Sequence, residues 1–335
     1  MSTEKDTVLA IEDLRVYFQG EGPEALAVDG IDICVLRQQT VCVVGESGCG
    51  KTVTALAVMG LLPRPPARIA SGRILFKGQS LLDMPLAQLR ALRGKGIAMV
   101  FQEPMTSLNP VFTIGNQISE AILAHEAIGA SVARQRAIQL LDDVGIIEPH
   151  KRINAYPHQL SGGQRQRVMI AMALACGPDL IIADEPTTAL DVTVQAQILD
   201  LLKQLQHDKQ MTIQYITHDL GVVKQIADHI YVMYAGIIVE QGTADHIFKG
   251  ARHPYTRALL AALPTREKRG KRLYSIPGSV PHPAYKPKGC PFHPRCEDRQ
   301  PACEISFPEL CDYGHGHLAR CPVIFKADMK KEAAG

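Results

Sequence analysis

One loop of this chain reads Gly45-Glu46-Ser47-Gly48-Cys49-Gly50-Lys51-Thr52, which has the G-x-x-x-x-G-K-[ST] spacing of a phosphate-binding loop. The β-branched run 41–44 precedes the loop and the segment 53–59 can continue it as a helix. Glycines let successive backbone N–H groups converge on one anion, and the helix N-terminus adds its positive end. We therefore expect these residues to bind a nucleoside triphosphate, with Lys51 at the β- and γ-phosphates and Thr52 as a Mg²⁺ ligand. A glycine-rich turn with a coincidental lysine would not explain the flanking strand and helix.

The composition is that of an ordinary globular protein, with 46% apolar and 21% charged residues in a chain of 335. A net charge of +2, 5% aromatic residues and no tryptophan argue against a nucleic-acid-binding surface. The N-terminus lacks a signal peptide pattern, and the longest apolar run, 168–176, is too short for a bilayer span. We expect a cytosolic chain whose nine cysteines are thiols or metal ligands.

Polar side chains follow three further predicted strands. The apolar run 180–183 ends in Asp184 and Glu185, which point to opposite sides of a strand and can take different roles. Asp184 suits Mg²⁺ or a water bound to it, and Glu185 suits general-base activation of the attacking water. Carboxylates that only cap the next helix are the alternative. Gln102, after strand 97–101, can contact Mg²⁺ or that water, and His218, after strand 212–216, can bond a γ-phosphate.

A second anion site is predicted at Ser161-Gly162-Gly163-Gln164, which comes immediately before a long helical pattern. The residues before it, 105–158, have helical spacing of apolar residues and form a mostly helical insert. A single chain with one nucleotide loop and two phosphate-binding helix starts requires an explanation.

Taken together, these motifs resemble the ATP-binding subunit of an ABC transporter, over about residues 8–325. The resemblance implies an α/β fold: a P-loop NTPase, RecA-like core with an antiparallel β subdomain, a helical insert carrying the signature motif, and a loop-rich, cysteine-containing C-terminal extension. The implied domains are 1–104 and 159–250 for the catalytic core, 105–158 for the helical subdomain, 251–325 for the extension and 326–335 for a tail.

The resemblance also implies roles for individual residues. Phe18 takes the adenine-stacking A-loop position in preference to Tyr17, and Asp191 is the D-loop aspartate. Catalysis falls to Glu185, His218 and the Q-loop Gln102, with Mg²⁺ held by Thr52, Gln102 and Asp184. In this family two cassettes pair head to tail. The signature residues Ser161, Gly162, Gly163 and Gln164 would therefore cap the ATP of a second subunit, which explains the two phosphate sites.

Three features resemble the oligopeptide/dipeptide importer branch, the OppD/DppD type: residues 102–110, residues 253–264 and the C-terminal cysteines. This implies a motor for peptide uptake; nickel, glutathione and opine uptake remain alternatives, and a nucleic-acid-linked ABC ATPase is the alternative from another class. The implied partners are an OppF/DppF-like second cassette in a heterodimer, two transmembrane permease subunits and an extracytoplasmic solute-binding protein, with no nucleic acid. The chain would lie peripherally on the cytoplasmic face of the inner membrane, where residues 103–110 would receive a coupling helix.

Four cysteines are spaced Cys290-x5-Cys296-x6-Cys303-x17-Cys321 in a segment too rich in proline for much regular structure. They supply four soft ligands but lack the C-x2-C pairs of zinc ribbons. Such spacing suits a [4Fe–4S] cluster, which the resemblance also implies, with Zn²⁺ and a free-thiol tail as alternatives. Cys311 would be a spare.

Cys49 replaces the serine more usual in this loop. Because only its backbone N–H is needed, nucleotide binding should survive the change. A thiol at a helix N-terminus beside Lys51 is expected to have a lowered pKa, so we also expect alkylation of Cys49 to block ATP binding and MgATP to protect it.

Overall fold

The computed structural model describes residues 6–20, 22–103, 107–188, 190–264, 270 and 274–325. The expected tail 326–335, Ala189 of the D-loop and residues 104–106 of the coupling-helix groove lie outside these residues. The chain divides into two compact units, each described by itself. The P-loop unit comprises residues 9–35, 39–80 and 216 onward; the signature unit comprises residues 36–38, 81–215 and the start of the chain. The domain limits expected from the sequence stay a prediction.

The strands of the two units are β1 (Thr7–Phe18), β2 (Ala25–Leu36), β3 (Thr40–Val44), β4 (Ala67–Phe76), β5 (Gln79–Ser80), β6 (Ile97–Val100), β7 (Leu180–Asp184), β8 (Thr212–Thr217), β9 (His229–Tyr234), β10 (Ile237–Thr243), β11 (Cys311–Asp312) and β12 (Leu318–Ala319).

The α-helices are α1 (Lys51–Val58), α2 (Leu86–Leu92), α3 (Ile114–Leu123), α4 (Ala130–Asp143), α5 (Pro149–Arg152), α6 (Gly162–Leu174), α7 (Val192–Lys209), α8 (Leu220–Ile226), α9 (Ala244–Gly250), α10 (Pro254–Ala262) and α11 (Ala302–Ile305), with 3-10 turns at Pro157–Gln159 and His293–Arg295. In the part of the chain that the structure describes, no helix has both the length and the apolar character to cross a membrane.

An antiparallel sheet in the P-loop unit has the strand order β2-β1-β4-β5. β1 runs antiparallel to β4, from the pair Leu9 and Phe76 to the pair Phe18 and Ala67. Leu14 and Val16 are fully buried on β1, and Phe18 at its end is half-buried. The antiparallel β subdomain that the family resemblance implies is therefore present.

The second sheet of this unit positions the phosphate loop. Its strands follow the order β11-β12-β10-β9-β3, and β3 pairs in parallel with β9 from Val41 opposite His229 to Val44 opposite Val232. All five residues of β3 are buried, as expected for an apolar strand covered on both faces. β9 and β10 form a hairpin across Ala235 and Gly236, which both have positive φ (47° and 88°).

The C-terminal extension is fastened to this sheet at one buried carboxylate. Glu240 on β10 is 0% exposed and accepts hydrogen bonds from the backbone N–H groups of Arg252 (2.7 Å) and His253 (2.9 Å) and from Nε2 of His317 (2.8 Å). Burial by itself raises the pKa of Glu240, but the bonds from His317 and the two amides outweigh it and hold the pKa below the usual value. Next to His317, β12 pairs with β10. Both ends of the extension therefore converge on Glu240.

The signature unit contains three strands in the order β8-β7-β6. β6 and β7 are parallel, with Ile97 opposite Leu180 and Val100 opposite Ala183, and every residue of β7 is buried. Because parallel strands end at the same edge of a sheet, the residues that follow β6 and β7 emerge close to one another. Those residues include Gln102 and the pair Asp184 and Glu185.

The expected helical insert is present in this unit as α3, α4 and α5. The start of α3 packs closely against the end of α5: the N–H of Gly115 donates to the carbonyl of Ile153 (2.9 Å), and that of Ile114 donates to Ala155 (2.9 Å). A Cβ on Gly115 would lie 2.2 Å from Cγ1 of Ile153, so no larger residue fits without displacement.

Candidate nucleotide site

The phosphate loop follows β3 and leads into α1, as the motif predicts. Gly50 is the N-cap of α1 with φ 107°, and a Cβ there would lie 2.6 Å from the carbonyl oxygen of Ala27. A Cβ on Gly45 would lie 2.1 Å from the carbonyl oxygen of Met233. Only glycine fits at these two positions, because backbone from β2 and β9 approaches the loop so closely.

Lys51 points back into its own loop. Its side chain is buried (5% exposed), and Nζ donates to the carbonyl oxygens of Gly45 (2.8 Å) and Glu46 (3.1 Å). Thr52, the next residue of α1, is exposed. The ammonium and the first turn of α1 therefore supply positive charge at the same end of the helix, which suits a phosphate chain.

The expected lowering of the Cys49 pKa is wrong. Cys49 is 0% exposed, and this burial raises the pKa of its thiol above the usual value, although Lys51, 3.8 Å from Sγ, acts in the opposite direction. Desolvation outweighs the ammonium because the thiolate would have to be charged inside the protein. Cys49 is buried against Gly45, and burial of its thiol opposes formation of the thiolate. The expected alkylation of Cys49 and its protection by MgATP stay predictions.

Glu46 has two partners that the sequence reasoning missed. Its backbone N–H donates to the hydroxyl of Tyr255 (2.9 Å), and its carboxylate accepts two hydrogen bonds from the guanidinium of Arg295 (2.7 and 3.0 Å). Tyr255 belongs to the segment 253–264, which the sequence reasoning used only as a family marker. The family resemblance of this segment was therefore the one sequence signal that could have drawn attention to Tyr255. No local pattern points to Arg295.

Two other expected site residues lie in the P-loop unit. Phe18 ends β1 half-buried, while the ring of the neighbouring Tyr17 is covered by the guanidinium of Arg68, 5.1 Å from its centroid. His218 follows β8 and is exposed, just before Asp219, whose carboxylate caps α8. The adenine-stacking role of Phe18 and the γ-phosphate role of His218 stay predictions.

The signature unit brings Gln102 and Glu185 together. Nε2 of Gln102 donates to Oε2 of Glu185 (3.1 Å), and the hydroxyl of Thr188 donates to the same oxygen (3.0 Å). Glu185 is 9% exposed and its backbone has φ 45°, in the left-handed region that residues other than glycine seldom adopt. Two donors and an unusual backbone therefore fix the orientation of this carboxylate, as a general base requires. Asp184, 3% exposed, ends β7 beside it.

The signature residues form the N-terminus of α6. Ser161 is the N-cap: Oγ accepts from the N–H of Gln164 (3.3 Å), and Oε1 of Gln164 accepts from the N–H of Ser161 (3.0 Å). This reciprocal pair is a capping box, and it leaves an exposed helix start at Ser161 and Gly162. A Cβ on Gly163 would lie 2.6 Å from Cγ1 of Val194, so this glycine allows α6 to approach α7. Asp191 caps α7 by accepting from the N–H of Val194 (2.9 Å).

Of the four cysteines expected to bind a metal group, Cys321 is buried and Cys290, Cys296 and Cys303 are partly buried. Burial raises the pKa of Cys296 to about 12, with Asp298 and the thiols of Cys321 and Cys290 adding to the shift. Burial likewise raises the pKa of Cys321 to about 11, with Cys290 and Cys303 adding to it. Among the described residues, no group of three or more His, Cys, Asp or Glu side chains is arranged to hold a metal ion.

Both the cassette and its C-terminal extension match known protein families. Residues 28–188 match the ABC transporter family, and residues 239–303 match the C-terminal region of oligopeptide/dipeptide transporters. The dipeptide transport ATP-binding protein DppD of Bacillus subtilis is 46% identical over 94% of both chains.

The chain belongs to the oligopeptide/dipeptide family of ABC transporter ATP-binding proteins. DppD of Escherichia coli is 49% identical over 94% of this chain and 96% of its own. The oligopeptide transport ATP-binding protein OppD of B. subtilis is 51% identical over 85% of this chain and 80% of its own.

Solved structures confirm the ABC cassette fold. A dimeric ATP-binding cassette, MJ0796, in a post-hydrolysis state with ADP and Pi, has a TM-score of 0.63 at 26% identity, covering 70% of this chain and 98% of its own. The cassette cbiO1 of Clostridium perfringens, part of the transporter complex cbiONQ, has a TM-score of 0.62 at 28% identity, covering 73% and 92%. This member of the family is therefore an ABC transporter ATPase that hydrolyses ATP to drive transport.

Replacing Glu185 by Gln in this ABC ATPase should lower kcat for ATP hydrolysis by about 10²- to 10⁴-fold, the usual contribution of a general base. The neutral amide cannot accept the proton of the attacking water, but it preserves shape, so the Kd for ATP should stay within about twofold. Phosphate release and nucleotide binding measure the two effects. Glu120→Gln, on the exposed surface of α3, is the matched control and should change neither. Unchanged hydrolysis by Glu185→Gln would remove Glu185 from the general-base role.

Alkylation kinetics distinguish a buried Cys49 thiol with a raised pKa from a reactive thiol with a lowered pKa. With iodoacetamide at pH 8, Cys49 in the native protein should react about tenfold or more slowly than the exposed Cys34, because burial and a raised pKa both suppress its thiolate. Raising the pH should speed the reaction at Cys49, since its thiolate fraction increases as the pH approaches the raised pKa. Peptide mass spectrometry measures both sites. Equal rates at Cys49 and Cys34 would contradict the buried thiol.

Proposed function

We propose that this chain is the ATP-hydrolysing subunit of an importer for dipeptides or oligopeptides. The observation that carries the proposal is the match of residues 239–303 to the C-terminal region of oligopeptide/dipeptide transporters. Relatives named for dipeptide and oligopeptide transport support it over nearly the full length of the chain. The same motor could serve nickel, glutathione or opine uptake, which are outcomes of the test below. A nucleic-acid-linked ATPase is disfavoured by a net charge of only +2.

The proposed reaction assigns each motif a step. Lys51 and the loop amides would bind the β- and γ-phosphates. Thr52, Asp184 and Gln102 would hold Mg²⁺, which would neutralise charge on the phosphates. Glu185, oriented by Gln102 and Thr188, takes the proton of the attacking water. His218 donates a hydrogen bond to the γ-phosphate, and Phe18 stacks on the adenine.

The assembly that we propose is a head-to-tail dimer of cassettes. The exposed N-terminus of α6 at Ser161 and Gly162 is suited to the γ-phosphate of ATP bound by another subunit, because its first N–H groups and its dipole attract an anion. The dimeric state of the similar cassette MJ0796 supports this pairing. The second cassette would be a related OppF/DppF-like chain, and the pair would bind two permease subunits on the cytoplasmic face of the inner membrane. An extracytoplasmic solute-binding protein would deliver the solute.

The transport proposal is tested in cells whose own copy of the gene is deleted. Uptake of a labelled dipeptide and a labelled oligopeptide should be lost, and should return with the wild-type gene but not with Glu185→Gln. Affinity purification of the tagged chain from membranes should recover a second cassette and two permeases. Unchanged peptide uptake together with lost uptake of ⁶³Ni²⁺, glutathione or an opine would reassign the solute.

We also propose that Cys290, Cys296, Cys303 and Cys321 hold a [4Fe–4S] cluster. Neighbouring thiols of this set add to the raised pKa values of Cys290, Cys296 and Cys321, whereas burial and Glu309 account for the raised pKa of Cys311. In a cluster each thiolate binds a different iron, so the four sulfurs need not surround a single ion. The hydrogen bond from the N–H of Cys290 to the carbonyl of Cys303 (2.8 Å) holds two of the ligand segments together. Zn²⁺ is the alternative occupant.

Anaerobic purification tests the cluster. The protein should be brown and carry about four iron and about four acid-labile sulfide per chain, the composition of a [4Fe–4S] cluster. Cys303→Ser should remove the colour, whereas the matched variant Cys311→Ser should keep it. Colourless protein with one zinc per chain would refute the cluster and leave the ATPase intact.

A further inference from the structure

We propose that Arg295, in the cysteine-bearing extension, is a positioning residue for ATP binding: it fixes the phosphate loop by holding the carboxylate of Glu46. The extension would then be a working part of the nucleotide site. This inference rests on the ATPase activity of the family and not on the identity of the transported solute.

The contact between Arg295 and Glu46 is a two-point ion pair. One terminal nitrogen of the guanidinium lies 2.7 Å from Oε2 of Glu46 and the other lies 3.0 Å from Oε1. The Arg295 side chain is 5% exposed and that of Glu46 is 31% exposed. Parallel hydrogen bonds between a planar guanidinium and a carboxylate restrict direction as well as distance. The pair therefore determines where the second residue of the phosphate loop lies.

Arg295 is itself held rigidly. Its Nε donates to the carbonyl oxygen of Pro277 (2.7 Å), and its guanidinium lies 5.8 Å from the ring centroid of Tyr234. It ends the 3-10 turn His293–Arg295, immediately before Cys296. A guanidinium with partners on several sides can act as a fixed support, whereas a solvent-exposed one would follow the loop.

A second contact reaches the same residue from the start of the extension. The hydroxyl of Tyr255 accepts from the N–H of Glu46 (2.9 Å). The ring of Tyr255 packs against Tyr234 (4.6 Å between centroids) and Phe292 (5.3 Å), and Tyr234 and Phe292 contact each other (5.3 Å). Residue 46 is thus held by its side chain and by its backbone, and both supports rest on one aromatic cluster.

Glu46 is in turn hydrogen-bonded to Lys51, the residue expected to bind phosphate. The carbonyl oxygen of Glu46 accepts a hydrogen bond from Nζ of Lys51 (3.1 Å). A displacement of residue 46 therefore displaces an acceptor of the ammonium that we expect to meet the β- and γ-phosphates. The path runs from Arg295 through the carboxylate and peptide of Glu46 to Lys51, with a measured contact at each step.

The alternative is that Arg295 only docks the extension, and Arg320 provides the matched control. Nε of Arg320 donates to the carbonyl oxygen of Ile238 on β10 (3.0 Å), and its guanidinium also donates to Pro308 (3.3 Å) and covers the ring of Phe307. Both arginines fasten the extension to the rest of the P-loop unit, but the hydrogen bonds of Arg320 go to β10 and to the extension itself. Loss of docking should affect both variants, whereas loss of positioning should affect Arg295 alone.

The test measures the Kd for MgATP of the full-length chain by calorimetry, with the melting temperature as a separate readout. Arg295→Met should weaken ATP binding about tenfold, which corresponds to about 1.4 kcal/mol of binding free energy. Glu46→Gln should also weaken ATP binding. The double variant should bind ATP no more weakly than the single variant with the lower affinity, because both substitutions remove the same ion pair. Arg295→Lys should recover part of the affinity, since it keeps the charge without the two-point geometry. Arg320→Met should lower the melting temperature without changing Kd.

Three results would overturn the proposal: equal loss of affinity in Arg295→Met and Arg320→Met, additive effects of Arg295→Met and Glu46→Gln, or wild-type affinity in Arg295→Met. If Arg295→Met does not fold, Glu46→Gln and Arg295→Lys decide the question, and wild-type affinity in both would overturn it. Reassignment of the solute leaves these outcomes unaffected, because the readout is ATP affinity alone.

Discussion

The ammonium group of Lys51 is buried, and a buried cation must keep polar partners or lose its charge. Two carbonyl oxygens of the loop provide those partners, which requires the loop to fold back over the first turn of α1. That path brings it against backbone atoms of Ala27 and Met233, so side chains are excluded at Gly50 and Gly45. The glycines of the motif thus allow the loop to pack against β2 and β9 while its carbonyl groups remain bonded to the Lys51 ammonium.

Buried charge also explains how the C-terminal extension is attached. Glu240 has no solvent exposure, and its hydrogen bonds come from residues at both ends of the extension. Arg295 is nearly as buried and pairs with the phosphate loop. Removing one partner would leave the other charge buried and unpaired, which is costly, so these contacts hold the extension to the rest of the P-loop unit.

The sequence was sufficient wherever function depends on residues close together in the chain. The phosphate loop, the helix start at Ser161 and the carboxylates after β7 are local patterns, and the structure places them on the expected elements. Gln102 and Glu185 were both assigned to the chemistry of the attacking water, but the hydrogen bond between them came only from the structure.

The sequence-based expectations failed where a property depends on burial or on contacts between distant parts of the chain. The helix N-terminus and the lysine beside Cys49 were visible in the sequence, but the desolvation that raises its pKa was not. Tyr255 and Arg295 lie 209 and 249 residues from Glu46 along the chain. No periodicity or spacing rule connects positions that far apart, so these contacts required the structure.

The attachment of both ends of the extension to Glu240 has a consequence for chain length. Residues 253 and 317 are held at one carboxylate, so the segment between them behaves as a closed loop. The entropy of closing a loop grows only with the logarithm of its length, and doubling the length costs about 0.6 kcal/mol. A lengthened extension should thus keep both attachment points on Glu240, so the cassette could carry a tag or a reporter domain between them.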